Sequence, residues 1–337
     1  MCRFGARPVA VDHGDWGAIM SRPANAARTA ILTLVAMCAF AANSLLCRLA
    51  LGRDLIDPAS FTSLRVASGA AILCLIVLLR GKTGKPRRSA NWRAPAALFA
   101  YMAFFSFAYL TLSAGTGALI LFATVQLTMF VVAVRDGERF AMMSWAGLIL
   151  AVLGLIYLVS PGIAAPNPLG AALMAIAGIA WGFYSLLGRA AANPLGATAW
   201  NFSCALPLVL LVSFVFLPDA IASVEGIVLA VSSGAIASGC GYVIWYAALS
   251  GLTASRAATV QLSVPIIAAF GGIALLSEDI TLRLVISSLA TLGGITMVLA
   301  QRASIATPQI ALESRRTQRT VQKRRSNRSI APSDPWP

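Results

Sequence analysis

The chain has 337 residues, of which 58% are hydrophobic and only 11% are charged, and its mean hydropathy is +0.80. This apolar content is too high for a soluble domain. The formal net charge of +14 indicates a nucleic-acid partner only if the basic residues share one surface. They are instead spread over the two tails and the connections between apolar segments.

Ten apolar segments follow one another along the chain, each long enough to cross a bilayer as a helix. Turn-forming Pro, Gly, Asn and Asp residues separate them. The segments are continuously apolar and lack the alternation of a transmembrane β-barrel. The sequence therefore predicts an all-α integral membrane protein with ten transmembrane helices, at residues 29–50, 59–80, 94–113, 117–134, 142–160, 168–190, 196–217, 227–249, 255–276 and 281–300.

Short sequence matches recur along the chain at an offset of about 140 residues. Ala-Thr-Val-Gln-Leu occurs at Ala123–Leu127 and again at Ala258–Leu262. Two further matches have nearly the same offset, namely Ser44–Arg48 with Ser185–Arg189 and Glu138 with Glu278. These matches predict two five-helix repeats, at residues 28–160 and 168–302. Because five is odd, the second repeat is inverted relative to the first, which is typical of secondary transporters with a site between the repeats.

The basic residues cluster in alternate connections. Arg and Lys are frequent in the tail of residues 1–27, in the 80–93 connection and in the tail of residues 303–337, and they are absent from 161–167 and 218–226. This asymmetry predicts a cytoplasmic location for both tails of an inner-membrane protein, with anionic lipids against the basic tails. Met20 offers an alternative translation start. RNA binding by the last tail is disfavoured because Trp336 is its one aromatic residue.

The residue types that support catalysis are missing from the predicted spans. The single histidine, His13, lies in the first tail, no carboxylate lies inside a span, and the six cysteines lack metal-ligand spacing. We therefore predict no enzyme activity, metal or cofactor. Without a mid-membrane proton carrier, we also expect facilitated diffusion or exchange, with any proton coupling limited to boundary groups such as Glu138 and Glu278.

Arg65 is the most informative polar residue within a span. It lies about two turns into the second segment, where an ionised side chain is costly, and it is therefore a candidate substrate-binding residue. A purely structural role is equally open, in which Arg65 extends to the outer interface or pairs with Asp54 or Asp57. The repeat places Asn201, which is polar but neutral, at the matching position.

Other polar and aromatic residues within the spans complete the candidate binding site. Asn43 matches Tyr184 across the repeats, and Trp181 lies three residues before Tyr184 on the same helical face. Gln126 and Gln261 occupy matching positions in the repeated pentapeptide. These glutamines either line a cavity or join neighbouring helices by hydrogen bonds, and the second role is slightly favoured.

The span count, the inverted repeats and Arg65 after an Asp-Pro turn occur together with Gln-Leu-Ser-Val-Pro at Gln261–Pro265, with Glu278 and with a glycine pair in the last span. Over residues 28–302 the chain resembles the drug/metabolite transporter superfamily, in its ten-helix EamA-type branch. The resemblance implies export or exchange of small metabolites, amino acids or amphipathic drugs through a cavity formed by helices 1–4 and 6–9. With this resemblance, we expect Pro265, Glu138 and Glu278 to act in gating.

The first repeat departs from this pattern. Phe130 occupies the position that matches Pro265, and only ten residues separate Leu127 from Glu138, against fifteen between Leu262 and Glu278. The fourth span is therefore expected to be close to the lower limit for crossing the bilayer.

Together these features predict a transporter of a small molecule that works by alternating access. The alternative from another class is a membrane sensor or scaffold that does not transport and whose basic tail recruits a partner. A membrane-embedded enzyme ranks third. Assembly into a homodimer is left open.

Overall fold

The computed structural model describes residues 23–81, 92–138, 140–162, 164–188, 191 and 193–300. Within these ranges the chain is almost entirely helical, with no strand. The basic tails, most of the 80–93 connection and Arg189 lie outside the described residues. The ten helices are α1 (Pro23–Gly52), α2 (Pro58–Arg80), α3 (Arg93–Ala108), α4 (Ala114–Arg135), α5 (Met142–Val159), α6 (Pro168–Gly188), α7 (Pro194–Val215), α8 (Val224–Leu249), α9 (Ala254–Gln261 continued by Ser263–Leu276) and α10 (Leu282–Ala300).

The predicted fold class is confirmed. Nine of the described helices are long and apolar enough to cross a membrane, and α3 is the shorter exception with 16 residues. Many large apolar side chains are exposed, among them Leu79, Met142 and Leu289. A soluble protein would not expose so much apolar surface, whereas a lipid-facing helix does so at no cost.

The expectation of a short fourth span was wrong. Helix α4 has 22 residues, and α3 is the short one because it ends at Ala108. The reason is local. Ser113 has extended backbone angles, and its hydroxyl accepts a hydrogen bond from the Thr116 amide, so that it caps a new helix at Ala114. Tyr109–Leu112 consequently form a turn rather than the end of α3.

Helices of one repeat pack mainly against helices of the other. Helix α6 lies against α3 and α4, α7 against α2, and α8 and α9 against α1. Small residues allow these close approaches. A side chain at Gly178 would collide with Thr124, and one at Gly115 would collide with Ala269. The buried core therefore lies at the boundary between the repeats.

Helices α5 and α10 pack against each other through small residues. Gly147 and Gly294 face each other with their backbones in direct contact, and the Thr291 hydroxyl donates to the Ala151 carbonyl at 3.4 Å. Exposed Ile149 and Leu153 cover another part of α5. Because α5 and α10 pack on each other, the other eight helices form the central boundary between the repeats.

Candidate functional site

A cavity lies at the centre of the boundary between the repeats. The cavity is small, with a volume of about 20 Å³, and both repeats contribute to its wall. Aromatic side chains predominate among the lining residues, which are Phe40, Asn43, Ser44, Tyr101, Phe105, Leu121, Phe122, Trp181, Tyr242 and Gln261. Three predicted site residues, Asn43, Trp181 and Gln261, therefore line this cavity.

Asn43 joins α1 to an irregular part of α8. Its side-chain oxygen accepts hydrogen bonds from Ser233 at 2.8 Å and from Ser238 at 3.2 Å. The segment Ser233–Cys240 is a π-helix, in which residues five apart lie about one turn apart. In a regular α-helix, two side chains five residues apart would point in directions that differ by about 140° around the helix axis. The π-helix therefore lets both hydroxyls reach the same oxygen atom.

Helix α9 is interrupted beside the cavity. Its first part ends at Gln261, and its second part begins at Ser263. Between them, the Leu262 amide donates to the Thr259 carbonyl, three residues earlier, at 3.1 Å. Pro265 explains the break, because proline lacks an amide hydrogen and cannot bond to the carbonyl of Gln261, four residues earlier. The predicted hinge residue Pro265 is buried and lies one helical turn from the cavity residue Gln261.

Trp181 is the centre of an aromatic cluster built from both repeats. Its ring centroid lies 4.7 Å from that of Tyr101, 5.4 Å from Tyr184 and 5.7 Å from Tyr242. Asn201 lies behind this cluster and donates to the Tyr184 hydroxyl at 3.5 Å. Tyr184 and Asn201 thus support the cavity wall without lining it.

The two repeat-related glutamines have different surroundings. Gln261 lines the cavity, whereas Gln126 is buried in α4 outside the cavity lining. The sequence repeat therefore does not give the two residues equivalent positions.

The Arg65 side chain is completely buried behind the cavity wall. Its Nη2 donates to the Tyr101 hydroxyl at 3.1 Å, and its guanidinium carbon lies 4.7 Å from the Phe105 ring centroid. The two structural alternatives for Arg65 were wrong. Full burial excludes an extended position at the interface, and Asp57 instead caps α2 by accepting from the amides of Ala59 and Ser60.

Glu278 takes part in a polar cluster at one end of the bundle. One of its oxygens lies 3.2 Å from Nε of Arg48, and the other accepts from the Ala114 amide at 2.9 Å. Arg48 also donates to the carbonyls of Tyr109 and Leu110, each at 3.2 Å. The cluster thus connects the end of α1 with the turn between α3 and α4 and with the end of α9.

Glu138 lies at the opposite end of the bundle from Glu278. Glu278 contacts the first residue of α4, whereas Glu138 follows the last turn of that helix. A 22-residue helix separates its ends by about 33 Å. Repeat-related residues at opposite ends of the bundle are what inverted repeats require.

Several residues of the site were not predicted from the sequence. Tyr101 and Phe105 shield Arg65, Tyr242 lines the cavity, and Arg48 pairs with Glu278. The four-residue spacing of Tyr101 and Phe105 was a usable signal, because such residues share a helical face. No group of three His, Cys, Asp or Glu side chains in the described ranges could hold a metal ion.

Comparison with known proteins identifies the family. The model of the EamA-like transporter family matches residues 27–160 and again residues 168–300. The chain belongs to the EamA-like transporter family. Among relatives of this EamA-like chain, the uncharacterized protein PA1977 of Pseudomonas aeruginosa is 48% identical over 275 residues, which is 82% of this chain and 96% of that protein.

More distant relatives carry the word transporter in their names. An uncharacterized transporter of Archaeoglobus fulgidus is 28% identical over 73% of this chain and 90% of its own length. The uncharacterized transporter YoaV of Bacillus subtilis is 24% identical over 72% of this chain and 87% of its own length. One crystal structure is similar in fold, with a TM-score of 0.57 and 19% identity over 78% of this EamA-like chain and 97% of the other. The chain is therefore a multi-pass membrane transporter.

Proposed function

We propose that this transporter moves small organic solutes across the inner membrane by alternating access, as an exporter or an exchanger. The observation that carries this proposal is the central cavity, whose wall comes from both inverted repeats. A site shared by two repeats can open to either side when the repeats rock against each other. Asn43, Trp181 and Gln261 would contact the solute, while Tyr184, Asn201 and Gln126 would support these contacts.

The polar cluster of Arg48 and Glu278 supports a gate at the predicted outer end. The ion pair joins the end of α1 in the first repeat to the end of α9 in the second, so that outward opening requires its separation. Their side chains are 26% and 16% exposed, which keeps the strength of the pair at about 1 kcal/mol. An ion pair of this strength stabilises the closed state of the gate, and the gate still opens without a large input of energy. Pro265 would serve as the hinge in α9, and Glu138 would act at the inner end.

Counterflow in proteoliposomes tests this proposal. Liposomes loaded with an unlabelled solute are diluted into a trace of the same labelled solute, for each member of a panel of organic acids, amino acids and amines. A transporter accumulates label transiently above equilibrium, because internal solute drives the return step. Protein-free liposomes are the control. A sensor or scaffold, the alternative with the basic tail at residues 303–337, would give no accumulation with any member of the panel.

A further inference from the structure

The Arg65 side chain carries a positive charge that no carboxylate among the described residues balances. Its side chain is completely buried, and its Nε and Nη1 atoms have no hydrogen-bond partner within the part of the chain that the structure describes. Among the described residues its acceptor is the hydroxyl of Tyr101, which is neutral. An unpaired charge in a water-poor interior is strongly unfavourable, and nearby rings offset only part of that cost. An anion bound next to Arg65 would offset this cost.

The unbalanced charge lies next to the central cavity. Tyr101 and Phe105 line the cavity on one side and contact the Arg65 guanidinium on the other, at 5.5 and 4.7 Å from their ring centroids. Only one layer of side chains therefore separates Arg65 from a bound solute. Rotation of Tyr101 would remove the acceptor and open a path from the cavity to the free nitrogen atoms.

An aromatic wall by itself would suit a cationic solute, since ammonium groups bind the faces of aromatic rings. Two observations argue against a cation here. The lining residues include no Asp or Glu, and the rings of Tyr101 and Phe105 already contact a positive charge. A second cation in the cavity would be repelled by Arg65 across a short distance of low dielectric.

The single positive charge of Arg65 also indicates how much negative charge the anion carries. One guanidinium neutralises one negative charge, as a carboxylate carries, whereas a phosphate monoester carries nearly two. The remainder of the cavity wall is apolar or aromatic, including Phe40, Leu121 and Tyr242. A small carboxylate with an apolar or aromatic body matches both parts of the cavity.

We propose that the transported solute is such a carboxylate, and that its carboxylate group replaces the Tyr101 hydroxyl as the partner of Arg65. Its apolar body packs against Trp181 and Tyr242. This inference rests on the proposed transport function and specifies its substrate class.

Thermal unfolding of the purified full-length protein in detergent measures binding without requiring transport. Three probes share one skeleton and differ in charge, namely phenylacetate, phenylacetamide and phenethylamine. Phenylacetate should raise the unfolding temperature of the natural protein, because a ligand that binds the folded state stabilises it. The amide and the amine should cause no shift.

Variants of two residues make the test specific. Arg65→Met should abolish the phenylacetate shift and raise the unfolding temperature without ligand, because it removes an unpaired buried charge. Arg65→Lys should weaken phenylacetate binding by roughly tenfold or more, since an ammonium lacks the planar fork. Tyr101→Phe should strengthen binding, because the carboxylate no longer has a hydroxyl to displace.

Arg283→Met is the matched control. Arg283 donates to the Ser160 carbonyl, packs on Tyr157 away from the cavity, and should be dispensable for the phenylacetate shift. The inference is overturned if phenethylamine stabilises the protein and phenylacetate does not, if Arg65→Met retains the phenylacetate shift, or if this variant lowers the unfolding temperature without ligand. Carboxylate binding without counterflow would contradict transport alone, whereas counterflow of amines only would contradict this inference alone.

Discussion

Arg48 and Glu278 form an ion pair between the two repeats, with Nε of Arg48 lying 3.2 Å from a carboxylate oxygen of Glu278. The same carboxylate caps the first amide of α4, so that three helix ends meet at one point. These contacts join the two repeats at one end of the bundle.

Neutralising Glu278 should loosen this end of the bundle. Glu278→Gln keeps the size of the side chain but removes the ionic part of the contact, worth about 1 kcal/mol or about fivefold in an opening equilibrium. A cysteine introduced for Ser44, which lines the cavity, should then react about fivefold faster with an impermeant thiol reagent from outside, in a background without native cysteines. Glu225→Gln is the control, since Glu225 is exposed on the same predicted face. Equal rates for both variants would mean that the ion pair does not hold the gate.

Replacing Pro265 should raise the stability of the folded protein and lower its transport rate. Pro265→Ala restores an amide hydrogen and straightens α9, which should stabilise the folded protein by up to about 3 kcal/mol. Flux per inserted molecule should fall severalfold because the hinge beside Gln261 is lost. Pro207→Ala is the matched control, because Pro207 lies inside α7 and is exposed away from the cavity. If Pro265→Ala transports at the natural rate, Pro265 is not a hinge.

Gly234 allows α8 to approach the backbone of Arg65. A side chain at Gly234 would collide with the Arg65 carbonyl and with the Ser68 hydroxyl. Gly234→Ala should therefore destabilise the protein by about 1–3 kcal/mol through overpacking. Gly293→Ala, in α10 with no atom nearby, should instead stabilise it by about 0.5–1 kcal/mol. Thermal unfolding in detergent measures both changes, and a stable Gly234→Ala variant would contradict this packing.

The membrane orientation rests on the lysine and arginine asymmetry. Single cysteines at Lys85 and at Glu225 should react differently with an impermeant reagent added to intact cells, with position 225 labelled and position 85 protected. Permeabilised cells should show labelling at both positions. Labelling of position 85 alone in intact cells would mean that the orientation is reversed.

The sequence predicted the parts of the molecule that depend on composition and repetition. The ten spans follow from hydropathy, and the opposite positions of Glu138 and Glu278 follow from an odd number of helices per repeat. The location of Arg65 within the second span was also expected. Each of these features could be predicted from the position of residues along the chain, without knowledge of how the helices pack.

Other features depend on packing between distant segments and could not be predicted from the sequence. Arg48 and Glu278 are 230 residues apart, and their pairing requires the relative placement of α1 and α9. The π-helix at Ser233–Cys240 depends on a backbone hydrogen-bond pattern that no single residue type encodes. Tyr101 covers Arg65 only because α2 and α3 are neighbours. The cap at Ser113 was not predicted, because Ser113 lies at the end of the apolar segment 94–113.

Reversible cross-linking of the gate tests the central claim most directly. In a background without native cysteines, Arg48 and Glu278 are both replaced by cysteine and joined in proteoliposomes with a short bis-methanethiosulfonate reagent, which forms a disulfide with each thiol and releases sulfinate. Alternating access predicts that cross-linking reduces counterflow to the level of protein-free liposomes, and that a reductant restores it. Each single-cysteine variant treated with the same reagent should retain flux. Undiminished counterflow through the cross-linked protein would contradict alternating access at this gate.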